Sequence, residues 1–250
     1  MRTKLLVGNW KMNKTRAEAL DFAKASIELL KFAQSKQIQI GVTPTYLSLD
    51  VVKHTNPNLI VGAQNVNAKE SGAYTGEISI PMLKELGIEW SLVGHSERRT
   101  YYAETNHTCN EKVLALLANK MIPLYCVGET LGQFEAGLTK PIVEAQIREG
   151  LKGVSQEDAR HLVIAYEPVW SIGTGKNASK EIAEDVCHFI RTILKDLFGG
   201  ASEKIQILYG GSVKPTNIKE YMAMPNIDGA LVGGASLAVD SFAQLIENIG

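Results

Sequence analysis

Short apolar runs recur along this chain at roughly 4–9, 37–42, 59–64, 90–94, 121–126, 161–167, 205–209 and 229–233, with longer segments of helical period between them. Runs apolar at consecutive positions suit strands buried on both faces, the environment of a parallel sheet covered by helices. The segment 16–34, with Ala19, Leu20, Ala23, Ile27 and Leu30 on one stripe, predicts an amphipathic helix facing that sheet. Taking Asn9, Thr43, Gln64, His95, Cys126, Glu167, Gly210 and Gly233 as strand ends, the intervals are about 20–45 residues, the length of a βα unit. Eight such units permit a closed barrel or an open doubly wound sheet. An open sheet would carry a glycine fingerprint after its first strand, and Asn9-Trp10-Lys11-Met12-Asn13 has no glycine. The fold expected is therefore α/β, a single-domain (β/α)8 barrel over residues 1–250, with Gly199-Gly200-Ala201-Ser202 as a loop rather than a domain boundary.

Composition removes several functional classes. With 26 basic and 27 acidic residues and a net charge of −1, the chain has no bulk attraction for nucleic acid or anionic membranes. The start, MRTKLLVGNWKMN, has too few consecutive apolar residues for a signal peptide or a membrane span, so a cytoplasmic location is expected. Cys109, Cys126 and Cys187 are an odd set without close pairs, and the histidines show no metal-ligand spacing. Reduced thiols and no metal are expected.

In a barrel, residues at the C-terminal ends of strands converge on one mouth whatever their separation in sequence. In Ala165-Tyr166-Glu167-Pro168, the proline pushes Glu167 towards extended backbone, so this carboxylate should close the sixth strand. Asn9 and Lys11 follow the first strand and His95 the fourth. Each has an ordinary alternative: a solvated lysine, a histidine that caps the helix starting at Ser96, an acid at a strand end. Together they supply a base, an acid partner and donors for an oxyanion, the requirements of a proton-transfer site. Tyr209-Gly210-Gly211-Ser212 and Val232-Gly233-Gly234-Ala235 lie between strand and helix, where bare backbone N–H groups can surround a phosphate. Gly173-Thr174-Gly175-Lys176 lacks the spacing of a nucleotide-binding P-loop.

The stretches GNWKMN at 8–13, GAYTGE at 72–77, GHSERR at 94–99, AYEPVW at 165–170, YGGS at 209–212 and LVGGA at 231–235 resemble the triosephosphate isomerase family, in its order and from end to end. The resemblance implies a TIM barrel that interconverts dihydroxyacetone phosphate and D-glyceraldehyde 3-phosphate through an enediolate, in glycolysis and gluconeogenesis, without cofactor or metal. It implies Glu167 as the base and a neutral His95 as the electrophile. Lys11 and Asn9 would be donors to the oxyanion, with Glu97 pairing Lys11, and Gly173, Ser212, Gly233 and Gly234 would hold the phosphate. Pro168-Val169-Trp170 and Lys176-Asn177-Ala178 resemble the hinges of a lid whose span is Ser171, Ile172, Gly173, Thr174 and Gly175. On closure Ile172 and Leu231 would press on Glu167. It further implies a homodimer in which Thr75, on the long connection 65–78, reaches the neighbour's Asn9, Lys11 and His95. Ser171, Asn177, Ala103 and Asn106-His107 depart from the family pattern. Two rivals stay open on residues alone: an aldolase using Lys11 as a Schiff-base nucleophile, against which Glu97 weighs, and a barrel that binds without catalysis.

Overall fold

The computed structural model describes residues 2–172 and 178–249. Its order begins β1 (Lys4–Asn9), α1 (Arg16–Ser35), β2 (Ile38–Thr43), α2 (Tyr46–Thr55), β3 (Ile60–Ala63), α3 (Ile80–Glu85) and β4 (Trp90–Val93). Then come α4 (Ser96–Tyr101), α5 (Asn106–Ala118), β5 (Ile122–Val127), α6 (Leu131–Glu135), α7 (Thr139–Gly150), α8 (Gln156–Ala159) and β6 (Val163–Tyr166). α9 (Lys180–Phe198), β7 (Gln206–Tyr209), α10 (Ile218–Met222), β8 (Gly229–Val232) and α11 (Val239–Glu247) complete it. The eight strands form a closed, all-parallel barrel in sequence order, β8 pairing back onto β1. Closure removes the sheet edges that would otherwise expose unpaired backbone.

Two cores follow from the period of two along each strand. Leu5, Val7, Leu92, Leu124, Cys126, Val163, Ala165, Leu208 and Leu231 fill the barrel interior. The alternate residues, among them Leu6, Ile40, Val61, Tyr125, Ile164 and Ile207, join the helices in an outer layer. Each buried Leu or Ile contributes about 1.5–3 kcal/mol of apolar transfer, so both layers hold the strand ends firmly.

Helix starts are chemically marked. Thr15 and Glu18 form a capping box at α1, Thr130 and Gln133 another at α6, and Ser179 caps α9. The buried face of α1 is Ala19, Phe22, Ala23, Ser26, Leu29 and Ala33, which corrects the expected stripe: Ile27 is exposed, while Leu20 and Leu30 pack at the margin. The helix is rotated because it packs against α2 and α11 as well as the sheet, and Phe22 seats edge-on to the buried Trp10 at 4.9 Å. The expected loop at Gly199 is a 3-10 turn, Gly199–Lys204, and β6 ends one residue before Glu167.

At the strand-start end Asp228 accepts from Arg191 Nη2 at 2.7 Å, Arg2 Nε at 2.7 Å and the Ile207 N–H at 2.9 Å. Arg191 and Asp228 are both buried, so each charge depends on the other.

Candidate active site

At the opposite end, Asn9, Lys11, His95, Glu167, Leu231, Gly233 and Gly234 line one cavity of about 280 Å³, together with Ile172 and residues 210–214. Strand parity explains part of this convergence. Asn9 continues the inward positions Leu5 and Val7, and Glu167 continues Val163 and Ala165. The Glu167 N–H still donates to Val127 O at 2.7 Å, so the ladder runs one residue past β6 and carries the carboxylate inward.

His95 breaks that parity. Leu92 points inward, so the next inward position is Gly94; the chain turns there with φ +73° and delivers His95 instead. A side chain at Gly94 would sit in left-handed backbone and place its Cβ 2.9 Å from Cys109 Sγ, which is why glycine stands there. His95 also caps α4: its Nδ1 accepts the Glu97 N–H at 3.2 Å. The ordinary and the functional readings of this residue therefore coexist.

Nε2 of His95 lies 3.1 Å from Glu167 Oε1, and Oε2 accepts the Ser96 N–H at 3.2 Å. With Nδ1 occupied as an acceptor, the ring's proton sits on Nε2. Burial lowers the basicity of His95, and the carboxylates of Glu167 and Glu97 more than offset it, so its pKa stands above the ordinary value. Burial likewise opposes charge on Glu167, but His95, the Ser96 N–H and Lys11 hold its carboxyl below the usual range. Base and electrophile are thus each other's partner.

Lys11 adopts φ +52°, unusual for a residue with a side chain. Its N–H donates to Asn9 Oδ1 at 3.0 Å, and its carbonyl accepts from Gln64 Nε2 at 2.8 Å. Thus Asn9 and Gln64 hold the turn that aims Lys11 across the mouth. Its Nζ meets Glu97 Oε1 at 2.7 Å, and its stem passes Gly233 closely enough that a Cβ there would be 3.8 Å from Lys11 Cε. Ser212 lines the same wall. Gly173 and the lid residues Thr174, Gly175, Lys176 and Asn177 lie outside the described residues. Thr75 is exposed and lies away from its own chain's cavity lining.

Strand-end reasoning passed over Gly128 and Glu129. Glu129 is fully buried, and its carboxylate accepts from Trp170 Nε1 at 2.8 Å and Tyr166 OH at 3.2 Å. Burial pushes its carboxyl up. It stands two residues past β5, where the rule that selected Lys11 would have admitted it. Trp170 also stacks on Phe134 at 4.4 Å. Gly128 and Gly210 lie against the base: a Cβ at the first would overlap Glu167 O, and one at the second would approach Glu167 Cγ to 2.7 Å. Cys126 is fully buried in the barrel interior and burial raises its thiol well above the ordinary value, so it packs as a small apolar residue.

A model of the triosephosphate isomerase family matches residues 4–249. The triosephosphate isomerase of Carboxydothermus hydrogenoformans is 48% identical over 250 residues, covering 99% of each chain. That of Caldanaerobacter subterraneus subsp. tengcongensis is 49% identical over 252 residues, 99% of this chain and 100% of the relative. That of Moorella thermoacetica is 48% identical over 249 residues, 99% of each chain. The match spans all eight strands and every element lining the cavity, and on that ground the chain belongs to the triosephosphate isomerase family.

Proposed function

We propose that this chain interconverts dihydroxyacetone phosphate and D-glyceraldehyde 3-phosphate, an aldose–ketose isomerisation in glycolysis and gluconeogenesis that uses no cofactor. The observation that carries the reading is a buried carboxylate and imidazole 3.1 Å apart, on a cavity whose other wall is glycine backbone and Lys11. The reaction moves one proton between adjacent carbons while the hydroxyl and carbonyl exchange places, so it needs a base that reaches both carbons and a donor that reaches both oxygens.

Glu167 rests on His95 Nε2 and the Ser96 N–H. A substrate carbonyl that takes over the Nε2 donor releases the carboxylate towards carbon. Burial then acts on Glu167 with its principal partner removed, which raises its pKa and makes it a stronger base. The same exchange removes the carboxylate that raised the pKa of His95, and the Glu97 N–H on Nδ1 keeps the ring neutral. Neutral Nε2–H donates to the developing oxyanion and shuttles a proton between the two oxygens. Lys11, held by Glu97, and Asn9 add fixed donors where negative charge develops. Backbone N–H groups of Ser212, Gly233 and Gly234, with Gly173, take the phosphate.

The lid from Pro168 to Ala178 excludes water from the enediolate, whose electron pair would otherwise expel phosphate. Its first hinge is supported by Trp170 on Glu129 and by Ser171, whose N–H and Oγ both donate to Pro168 O, at 2.8 and 2.9 Å. Ile172 and Leu231 both line the cavity and become the apolar clamp on Glu167.

The active form is a homodimer built on the connection 65–78, in one domain of 1–250 acting in the cytoplasm. The base of that connection is held by the Asn67 N–H on Ile78 O at 2.8 Å, while its tip, including Thr75, is exposed. Met12, after β1, is 93% exposed and Tyr101, at the end of α4, is 75% exposed, apolar surface that a partner would cover. Among the described residues no helix is long and apolar enough to cross a membrane. The test is a coupled assay with D-glyceraldehyde 3-phosphate: sustained conversion is expected, and none would overturn the reading. Sedimentation at micromolar concentration tests the dimer.

A further inference from the structure

We propose that Gln146, on the outer helix α7, is a positioning residue that sets the geometry of the base and of the first lid hinge; the inference rests on the isomerase reading above. Its side-chain amide takes both polar groups of one residue: Oε1 accepts the Gly128 N–H at 2.7 Å and Nε2 donates to Gly128 O at 3.0 Å. Two such bonds from a planar amide fix the position and the direction of the backbone at Gly128.

That backbone governs the site. Val127 O accepts the Glu167 N–H at 2.7 Å, Glu129 O accepts the Val169 N–H at 3.1 Å, and the Glu129 carboxylate accepts from Trp170. Residues 127–129 therefore hold residues 167, 169 and 170, with Gly128 in the middle. One side of Gly128 packs against the Glu167 backbone. It has no side chain, and a second cavity of about 220 Å³ opens beside it, lined by Ser96, Arg99, Thr130, Gln146 and Glu167 among others. A glycine bordering a void is held by its hydrogen bonds, and Gln146 supplies both.

The clamp is braced at its far side. The Gln146 carbonyl accepts from Tyr125 OH at 2.7 Å, Tyr125 OH accepts from Arg99 Nη2 at 3.1 Å, and Arg99 Nε donates to Gly94 O at 2.9 Å. Gly94 is the turn that delivers His95. One polar chain thus runs from the turn behind the electrophile to the loop behind the base, and Gln146 is its link to the base.

The experiment compares wild type with Gln146→Ala, which removes both bonds, and Gln146→Glu, which keeps the acceptor and replaces the donor. Each protein is measured for kcat, KM, melting temperature and the fraction of substrate lost as methylglyoxal and phosphate. In that side reaction the enediolate electron pair expels phosphate, the C–O bond breaks, and the enol left behind tautomerises. For Gln146→Ala, kcat is expected to fall about 10–100-fold, as displacements near 1 Å do, with a smaller change in KM and a raised methylglyoxal fraction. For Gln146→Glu, activity relative to wild type is expected to recover as pH falls, because the protonated carboxyl regains a donor for Gly128 O. Folded variants with wild-type kcat and methylglyoxal fraction overturn the proposal, as does a loss that matches the unfolded fraction alone. If the alanine variant does not fold, the glutamate variant decides by its pH profile: a constant ratio to wild type overturns the proposal. An inactive wild type overturns this inference and the isomerase reading together, whereas an active wild type with unaffected variants overturns this inference alone.

Discussion

Gly210→Ala offers a direct test of how tightly the base is held. Gly210 lies outside the left-handed region, so alanine meets no backbone strain there and the effect is purely steric. Its Cβ would fall 2.7 Å from Glu167 Cγ and 3.3 Å from Tyr166 O. Carbon atoms pack at about 3.5–4.0 Å, so the contact is short by about 1 Å. The Tyr166 carbonyl cannot yield, because it accepts the Gly210 N–H at 2.7 Å within the ladder. Glu167 must move instead, and its carboxylate is pinned by His95 Nε2 and the Ser96 N–H. A displacement near 1 Å at a catalytic group costs about 100-fold in rate, while overpacking of this kind costs about 1–3 kcal/mol in stability. The expected result in the coupled assay is a folded protein with kcat lowered about 100-fold. Gly200→Ala is the control: no atom lies within 4 Å of its Cβ, and wild-type kinetics are expected. Wild-type kcat in Gly210→Ala would refute the argument that this carboxylate must occupy one position.

Other outcomes follow from the same geometry. Glu167→Asp retracts the carboxylate by about 1.5 Å, one C–C bond, and turnover should fall about 100–1000-fold in the coupled assay with the fold retained; unchanged turnover would remove Glu167 as the base. Ala103 adopts φ +52°, so Ala103→Gly should relieve about 1 kcal/mol of left-handed strain and raise the melting temperature by about 2–4 °C in a calorimeter; a lower melting temperature would contradict this. Asp228→Ala leaves Arg191 buried without its partner and should cost about 3–5 kcal/mol in denaturant unfolding, with the activity of the folded fraction unchanged. Burial raises the pKa of Glu129 in the folded state, so its contribution to stability is present below the ordinary carboxyl range and lost as pH rises through the folded value. Glu129→Gln should therefore gain stability relative to wild type above that value, and the difference should vanish in acid; a difference independent of pH would count against it.

The sequence by itself determined the layered architecture and most of the site's membership. Apolar runs separated by helical periods predict eight parallel strands with ends within two residues of those observed, because local hydrophobic pattern and turn chemistry act over a few residues. Strand parity brings Asn9 and Glu167 inward by the same short-range rule. The tertiary structure alone decided what depends on residues far apart in the chain. The buried face of α1 turned away from Ile27 because α2 and α11 compete with the sheet for its surface. His95 entered the cavity against strand parity because Gly94 turns beside Cys109 and Tyr125, on other elements. The pairing of Glu167 with His95, which sets the charge state of both, joins the ends of β6 and β4 and could not be read from either alone. Glu129 and Gln146 resemble ordinary loop and helix residues in sequence, and they acquire meaning from what touches them: an indole and a peptide. Local pattern fixes which elements form and which way a strand side chain faces; hydrogen bonding and steric exclusion between elements fix where a reacting atom comes to rest.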